Sequence, residues 1–341
     1  MVAWAMQPET RALPRINLAL QGGGSHGAFT WGVLDRLLED GRLAFEGLSG
    51  ASAGAINAVV LAHGWHEGGR EGARAALARF WESVGQVSGV FGSMPLGPWA
   101  QWLTRTLSPY QFNPANLNPL RTLLEQQIDF ERLRRNGPLR LFVSATNVRT
   151  NHVRIFHGRE IGIDVVMASA CLPTLFQAVE IEGEAYWDGG YLADPPLFPF
   201  FYECESRDLL VVMVNPLVRE ATPSAPIDIL DRINEISFNA SLIAEMRAIA
   251  FVHKLLDEGW LKREFQSKLR NVLVHLVRAD GADGSLAGLG SDSKFHTATP
   301  FLLDLRERGR LAADAWLSKS LRHVGHRSSI DVRRTFLEGR S

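Results

Sequence analysis

The chain has 341 residues, 46% hydrophobic and 21% charged, which suits one large globular domain or two small ones able to bury a core. A net charge of −1 excludes a global basic field of the kind that binds nucleic acid, and pairs such as Lys262-Arg263 and Arg333-Arg334 read as solvated faces. The two cysteines, Cys171 and Cys204, stand outside any CxxC pair; this argues against a zinc or redox motif and leaves them as buried fillers.

Met1 to Leu20 carries Glu9, Arg11 and Arg15 and no long apolar stretch, so no signal peptide is expected. No run reaches the ~20 apolar residues of a membrane span. The expectation is a cytoplasmic protein, with peripheral contact at a membrane left open. A first strand over 16–20 ends in Gln21-Gly22-Gly23-Gly24-Ser25-His26-Gly27. From His26 to Asp40, Phe29, Val33, Leu34, Leu37 and Leu38 share one helical face, and Gly41 stops the helix. A second strand near 43–48 runs into Ser49-Gly50-Ala51-Ser52-Ala53-Gly54. Helices follow over 53–63, stopped by Gly64, and over 70–84.

Residues 88–119 are apolar but irregular, with Trp99, Trp102, Tyr110 and Phe112 set among Gly, Pro and Asn. Such a segment is either an insertion packed on the core or a lid-like binding loop. Strands are expected over 139–145 and 153–156, a helix over 163–170, and a hairpin over 181–187 closing at Gly183-Glu184. Residues 209–214 are nearly all β-branched or apolar, the mark of a strand buried on both faces. A last strand over 271–277 and long helices over 233–259 and 301–323 complete the chain. Strands alternating with helices imply an α/β sandwich of three layers around a mainly parallel sheet. No linker divides the chain: 14–220 reads as a core, and 221–341 as a helical C-terminal extension of the same domain.

Gly50-Ala51-Ser52-Ala53-Gly54 fits G-x-S-x-G, a sharp strand-to-helix turn that presents a serine hydroxyl at the top of a sheet. Gly22, Gly23 and Gly24 at a helix start can turn backbone N–H groups toward an oxyanion. Gly22-x-Gly24-x-x-Gly27 also matches the dinucleotide fingerprint. That fingerprint needs an acid at the tip of the second strand, where Gly50 and Ser52 stand instead and Glu46 lies inside the strand. Trp187-Asp188-Gly189-Gly190-Tyr191 offers an aspartate on a glycine loop, although an isolated Asp-Gly is most often a plain turn.

Taken in this order, the three elements resemble the patatin-like phospholipase family. Ala168-Ser169-Ala170-Cys171-Leu172-Pro173-Thr174-Leu175-Phe176 and Ser144-Ala145-Thr146-Asn147 are similar to further segments of that family, and the likeness runs from about Ile16 to Asn215. The resemblance implies a patatin-like fold and a lipid acyl hydrolase with no metal or cofactor. It implies a dyad of Ser52 as nucleophile and Asp188 as base, with oxyanion donors on Gly22, Gly23 and Gly24. Gly27, Gly50, Gly54, Gly189 and Gly190 support these motifs. His26 departs from the family, which usually has Arg or Lys there, and Gln177-Ala178 replaces a frequent proline. Two other readings stay open. One is a Ser–His–Asp esterase using His275 or His296, which follow Asp188 in the chain order of an α/β-hydrolase, although His275 sits in an apolar run. The other is a noncatalytic lipid- or protein-binding module on the same fold.

Overall fold

The computed structural model describes residues 13–91, 107–135, 137–219, 221–260, 265, 268–281, 285–286 and 288–338. The elements, in chain order, are β1 (Arg15–Leu20), α1 (Gly27–Asp40), β2 (Ala44–Gly50), α2 (Ala53–Phe91), α3 (Pro119–Gln127), β3 (Arg140–Asn147) and β4 (Val153–His157). They continue with α4 (Ile163–Ser169), β5 (Val179–Ile181), β6 (Glu184–Asp188), β7 (Asp208–Met213), α5 (Pro226–Asp257), β8 (Leu273–Arg278) and α6 (Thr299–Ser320). Short helical turns link them.

One eight-stranded sheet holds the strands in the order β5-β6-β3-β2-β1-β7-β8, with β4 also on β3. β3, β2, β1, β7 and β8 are parallel, whereas β4, β5 and β6 join antiparallel. The period of two along a strand divides the core. Ile16, Leu18 and Leu20 of β1 and Leu210 and Val212 of β7 pack with α1, α2 and α6 on one face. Ala19, Leu209, Val211 and Met213 pack with Leu242 and Met246 of α5 on the other. β7 is buried at every position, as its composition requires.

The expected stop at Gly64 does not occur. The helical run continues to Phe91 and breaks at Gly68 and Gly69, whose φ,ψ of −161°,32° and 60°,−138° are not helical. Gly64 sits where the two halves touch: a Cβ there would meet the Gly72 carbonyl and Ala76. The glycine therefore serves contact and not termination. The hairpin turn also falls one residue earlier than expected, on Glu182 (φ 54°) and Gly183 (φ 79°), the positive-φ pair that a tight two-residue hairpin needs. Of the lid-like segment 88–119, residues 92–106 lie outside the described residues; Pro109–Phe112 forms one helical turn. β8 and α6, from the C-terminal third, belong to the sheet and to its helical cover. No helix among the described residues is long and apolar enough to cross a membrane.

Candidate active site

In a parallel sheet the strand C-termini lead into helix N-termini, so backbone N–H groups and helix dipoles converge on one edge. Here β1 delivers Gly22–Gly24, β2 delivers Ser52 and β7 leads to Asn215. Gly50 closes β2 and Gly27 opens α1. Ser52 sits in the left-handed region at φ 52°, a conformation that costs a non-glycine residue about 1–3 kcal/mol. Its N–H donates to the Ser169 carbonyl at 3.0 Å and the Ser169 hydroxyl at 3.1 Å, which pins the turn. Gly54 must lack a side chain, because a Cβ there would fall on the Leu20 carbonyl of the neighbouring strand.

β3 brings Asp188 to this turn. Its residues 142–146 pair with β4 on one edge. The opposite edge therefore carries both β2, with Gly50 against Val143, and β6, with Asp188 against Ala145. The end of β2 and the end of β6 consequently meet two residues apart along one strand. The Asp188 N–H donates to the Cys171 carbonyl at 2.9 Å and the Thr146 hydroxyl donates to the Asp188 carbonyl at 2.8 Å. Asp188 is 0% exposed. Its Oδ1 accepts the Gly190 N–H at 2.7 Å, from the turn Gly189–Tyr191, while Oδ2 has no hydrogen-bond partner among the described residues. Burial pushes the Asp188 pKa up to about 7, and the Gly190 N–H and the Ser52 hydroxyl pull in the opposite direction.

The glycine loop is anchored from both sides. The Gly22 N–H donates to Asp194 Oδ1 at 2.6 Å, and Asn215 Nδ2 donates to the Gly22 carbonyl at 3.2 Å. Gln21 Oε1 accepts the N–H groups of Val214 and Asn215, both at 2.9 Å. Gly24 has φ 57°, and a Cβ there would strike the Lys294 carbonyl oxygen. The Gly22 N–H is thus engaged within the protein. The N–H groups of Gly23 and Gly24 donate to no acceptor among the described residues.

These groups line one cavity of about 200 Å³, which holds Ser52, Asp188, the three loop glycines, Phe238 and Lys294. No histidine lines it among the described residues. His26 faces the other way, its Nε2 at 2.7 Å from the Ser293 hydroxyl. Burial, with help from Lys294 and Arg219, pushes its pKa down to about 3, so the imidazole is neutral at physiological pH. His275 is buried and pairs with Asp208 at 2.9 Å. Asp208 begins β7, at the sheet edge opposite Ser52. His296 stacks on Phe301 with centroids 4.7 Å apart. Cys171 is buried, its Sγ 3.1 Å from the Gln177 carbonyl and its pKa pushed up to about 12 by desolvation, so it is no thiolate nucleophile. No sequence motif marks Asp194, Asn215 or Lys294. Each lies in or beside a loop without a motif, and only the tertiary contacts mark it.

A model of the family described as patatin-like phospholipase matches residues 18–201, a little over half of the chain. No curated protein sequence matches. Among solved structures, the chain is similar to VipD from Legionella pneumophila at 16% identity and TM-score 0.42, covering 91% of this chain and 72% of that one. It is also similar to ExoU, in its heterodimeric complex with SpcU from the type III secretion system of Pseudomonas aeruginosa. That match has 14% identity and TM-score 0.36, and covers 90% of this chain and 52% of the other.

Proposed function

This chain belongs to the patatin-like phospholipase family, and we propose that it is a lipid acyl hydrolase with Ser52 as nucleophile and Asp188 as general base. One observation carries the reading: a serine in a left-handed strand-to-helix turn shares a cavity with a fully buried aspartate that has an unengaged oxygen. The absence of histidine from the described lining favours this pair over a Ser–His–Asp arrangement.

In the first step Ser52 Oγ attacks the ester carbonyl carbon as its proton passes to Asp188 Oδ2. The negative charge on the carbonyl oxygen is met by the N–H groups of Gly23 and Gly24, with the N-terminal dipole of α2 adding to the field. Collapse of the tetrahedral adduct breaks the ester C–O bond, and the leaving alcohol takes the proton from Asp188. Water then attacks the acyl-serine, giving its proton to Asp188, and Ser52 leaves with that proton as the fatty acid is released. An exposed aspartate, with a reference pKa of ~3.9, is a weak base for a serine. Desolvation raises the basicity of Asp188 toward the working pH, the usual means of matching a general base to its task.

The test is release of p-nitrophenol from a medium-chain ester by wild type, Ser52→Ala and Asp188→Asn, with fluorophosphonate labelling of each. Turnover by wild type alone and labelling that requires Ser52 are expected. Undiminished turnover by Ser52→Ala would refute the reading, and so would complete loss of turnover on replacing His26 or His275 in a protein that stays folded.

A further inference from the structure

At the end of the sheet opposite Ser52, the start of β3 and the end of β4 border a groove of about 410 Å³. β3 runs parallel to β2, with Arg140 against Gly47 and Val143 against Gly50. The groove therefore lies at the N-terminal end of the parallel strands and the Ser52 cavity at their C-terminal end. The two share no lining residue.

The groove is strongly basic. Arg134 and Arg135 follow the helical turn Phe130–Leu133, Arg140 opens β3, His157 closes β4, and Arg159 lies in the turn Gly158–Glu160. Glu203 is the one acid among the described lining residues. Elsewhere on the surface arginines meet acids: Arg121 pairs with Glu125 and Asp164, and Arg154 with Glu160 and Glu182. In the groove the compensation is thin. Arg134 is fixed by Glu131 at 2.6 Å and by the Ile161 carbonyl at 3.0 Å. Arg140 and Glu203 stand 3.6 Å apart and both are half exposed, a contact worth little in water. The side chains of Arg135 and Arg159 make no hydrogen bond or ion pair among the described residues. Beneath them the buried Leu141 and Phe142 form part of the wall. A concave surface of one charge sign over a low-dielectric wall focuses its field on the space it encloses.

We propose that this groove is a second ligand site, which binds a small soluble molecule carrying two or more phosphate groups. A guanidinium stays charged at any physiological pH, and its planar fork matches a phosphate through two parallel hydrogen bonds. Two unengaged forks, with Arg140 held only loosely, exceed what a single phosphate needs. The volume lies in the range of small-molecule sites, roughly 300–1,000 Å³. The place favours a soluble ligand over a lipid headgroup, because a bilayer that meets the Ser52 cavity leaves the opposite end of the sheet to solution. The inference stands independently of the acyl-hydrolase reading.

The experiment is calorimetric titration of the full chain with inorganic tripolyphosphate in magnesium-free buffer. It compares wild type, Arg135→Ala/Arg159→Ala, Glu203→Gln, and Arg247→Ala/Arg334→Ala. The last variant removes the same charge from exposed positions outside the groove. Arg135→Ala/Arg159→Ala is expected to weaken binding about 10- to 100-fold, as loss of charge-assisted hydrogen bonds at a half-exposed site requires. Glu203→Gln is expected to tighten it severalfold, by removing the one acid and releasing Arg140, a gain that misfolding does not produce. Arg247→Ala/Arg334→Ala should bind as wild type does. No binding by wild type, equal loss in the two double variants, or no gain in Glu203→Gln would overturn the proposal. So would co-sedimentation with phosphatidylglycerol vesicles that depends on Arg135 and Arg159 while tripolyphosphate fails to bind, which would assign the groove to a membrane surface. Turnover of a p-nitrophenyl ester, measured alongside, should be the same in all four proteins. Its absence from wild type would count against the acyl-hydrolase reading and leave the groove's binding result as it stands.

Discussion

Burying Asp188, the proposed base, should cost stability, and the cost should depend on pH. Its pKa rises from 3.8 when solvated to about 7 in the folded chain because the carboxylate loses its water. Between those values the native state holds a proton that the unfolded state has released. Stability therefore falls as pH rises through this window, by ~1.36 kcal/mol per unit, and levels off above the folded pKa. The whole penalty is about 4 kcal/mol, of which about 3 kcal/mol falls between pH 5 and pH 8. Asp188→Asn removes the titration while keeping the shape. Relative to wild type the variant should gain about 3 kcal/mol between pH 5 and pH 8. For a chain of 341 residues this equals a melting-temperature difference growing by about 4 °C. Urea denaturation of both proteins at half-unit steps from pH 5 to pH 8 measures it, independently of any constant offset from the new amide. Parallel stability profiles would refute the reasoning, since they would mean that the folded chain leaves the carboxylate solvated.

The same pKa gives a kinetic expectation: kcat/KM for a neutral ester should drop about 50-fold from pH 7 to pH 5 as Asp188 takes up its proton, and a profile flat over that range would exclude it as the base. At the glycine loop, Asp194→Asn keeps the acceptor for the Gly22 N–H and should retain most activity, whereas Asp194→Ala should lose about 100-fold in kcat through displacement of the proposed oxyanion site. Equal losses in the two variants, measured with a soluble ester, would show that its charge and not its hydrogen bond matters. Gly54→Ala drives a Cβ onto the Leu20 carbonyl and should destabilise the fold by about 3 kcal/mol or more, read as a lowered urea midpoint. A wild-type midpoint would mean that β1 and α2 are free to separate.

Much of this arrangement was legible along the chain because it is local. The alternation of Ile16, Leu18 and Leu20 marks a strand, and the run of small residues after Ser52 marks a helix that can approach the sheet. Both signals arise from periods of two and 3.6 residues, which neighbouring side chains obey wherever the segment ends up. Gly64 shows the limit of local reading. A glycine in a helix pattern signals a stop or a contact alike, and only the packing of Gly72 and Ala76 against it decides for contact.

The strand–turn–helix units, the serine elbow and the glycine loop are written in the local sequence, since each depends on backbone conformations that a few consecutive residues dictate. The rest comes from contacts between elements that are distant along the chain. Asp188 reaches Ser52 because one edge of β3 pairs first with β2 and then with β6. Its pKa is set by the water that the surrounding layers exclude, a property of the whole packed assembly. Lys294 enters the site from a turn far away in sequence, and Asp194, six residues beyond Asp188, enters it from a stretch where no spacing or motif distinguishes it from a surface residue.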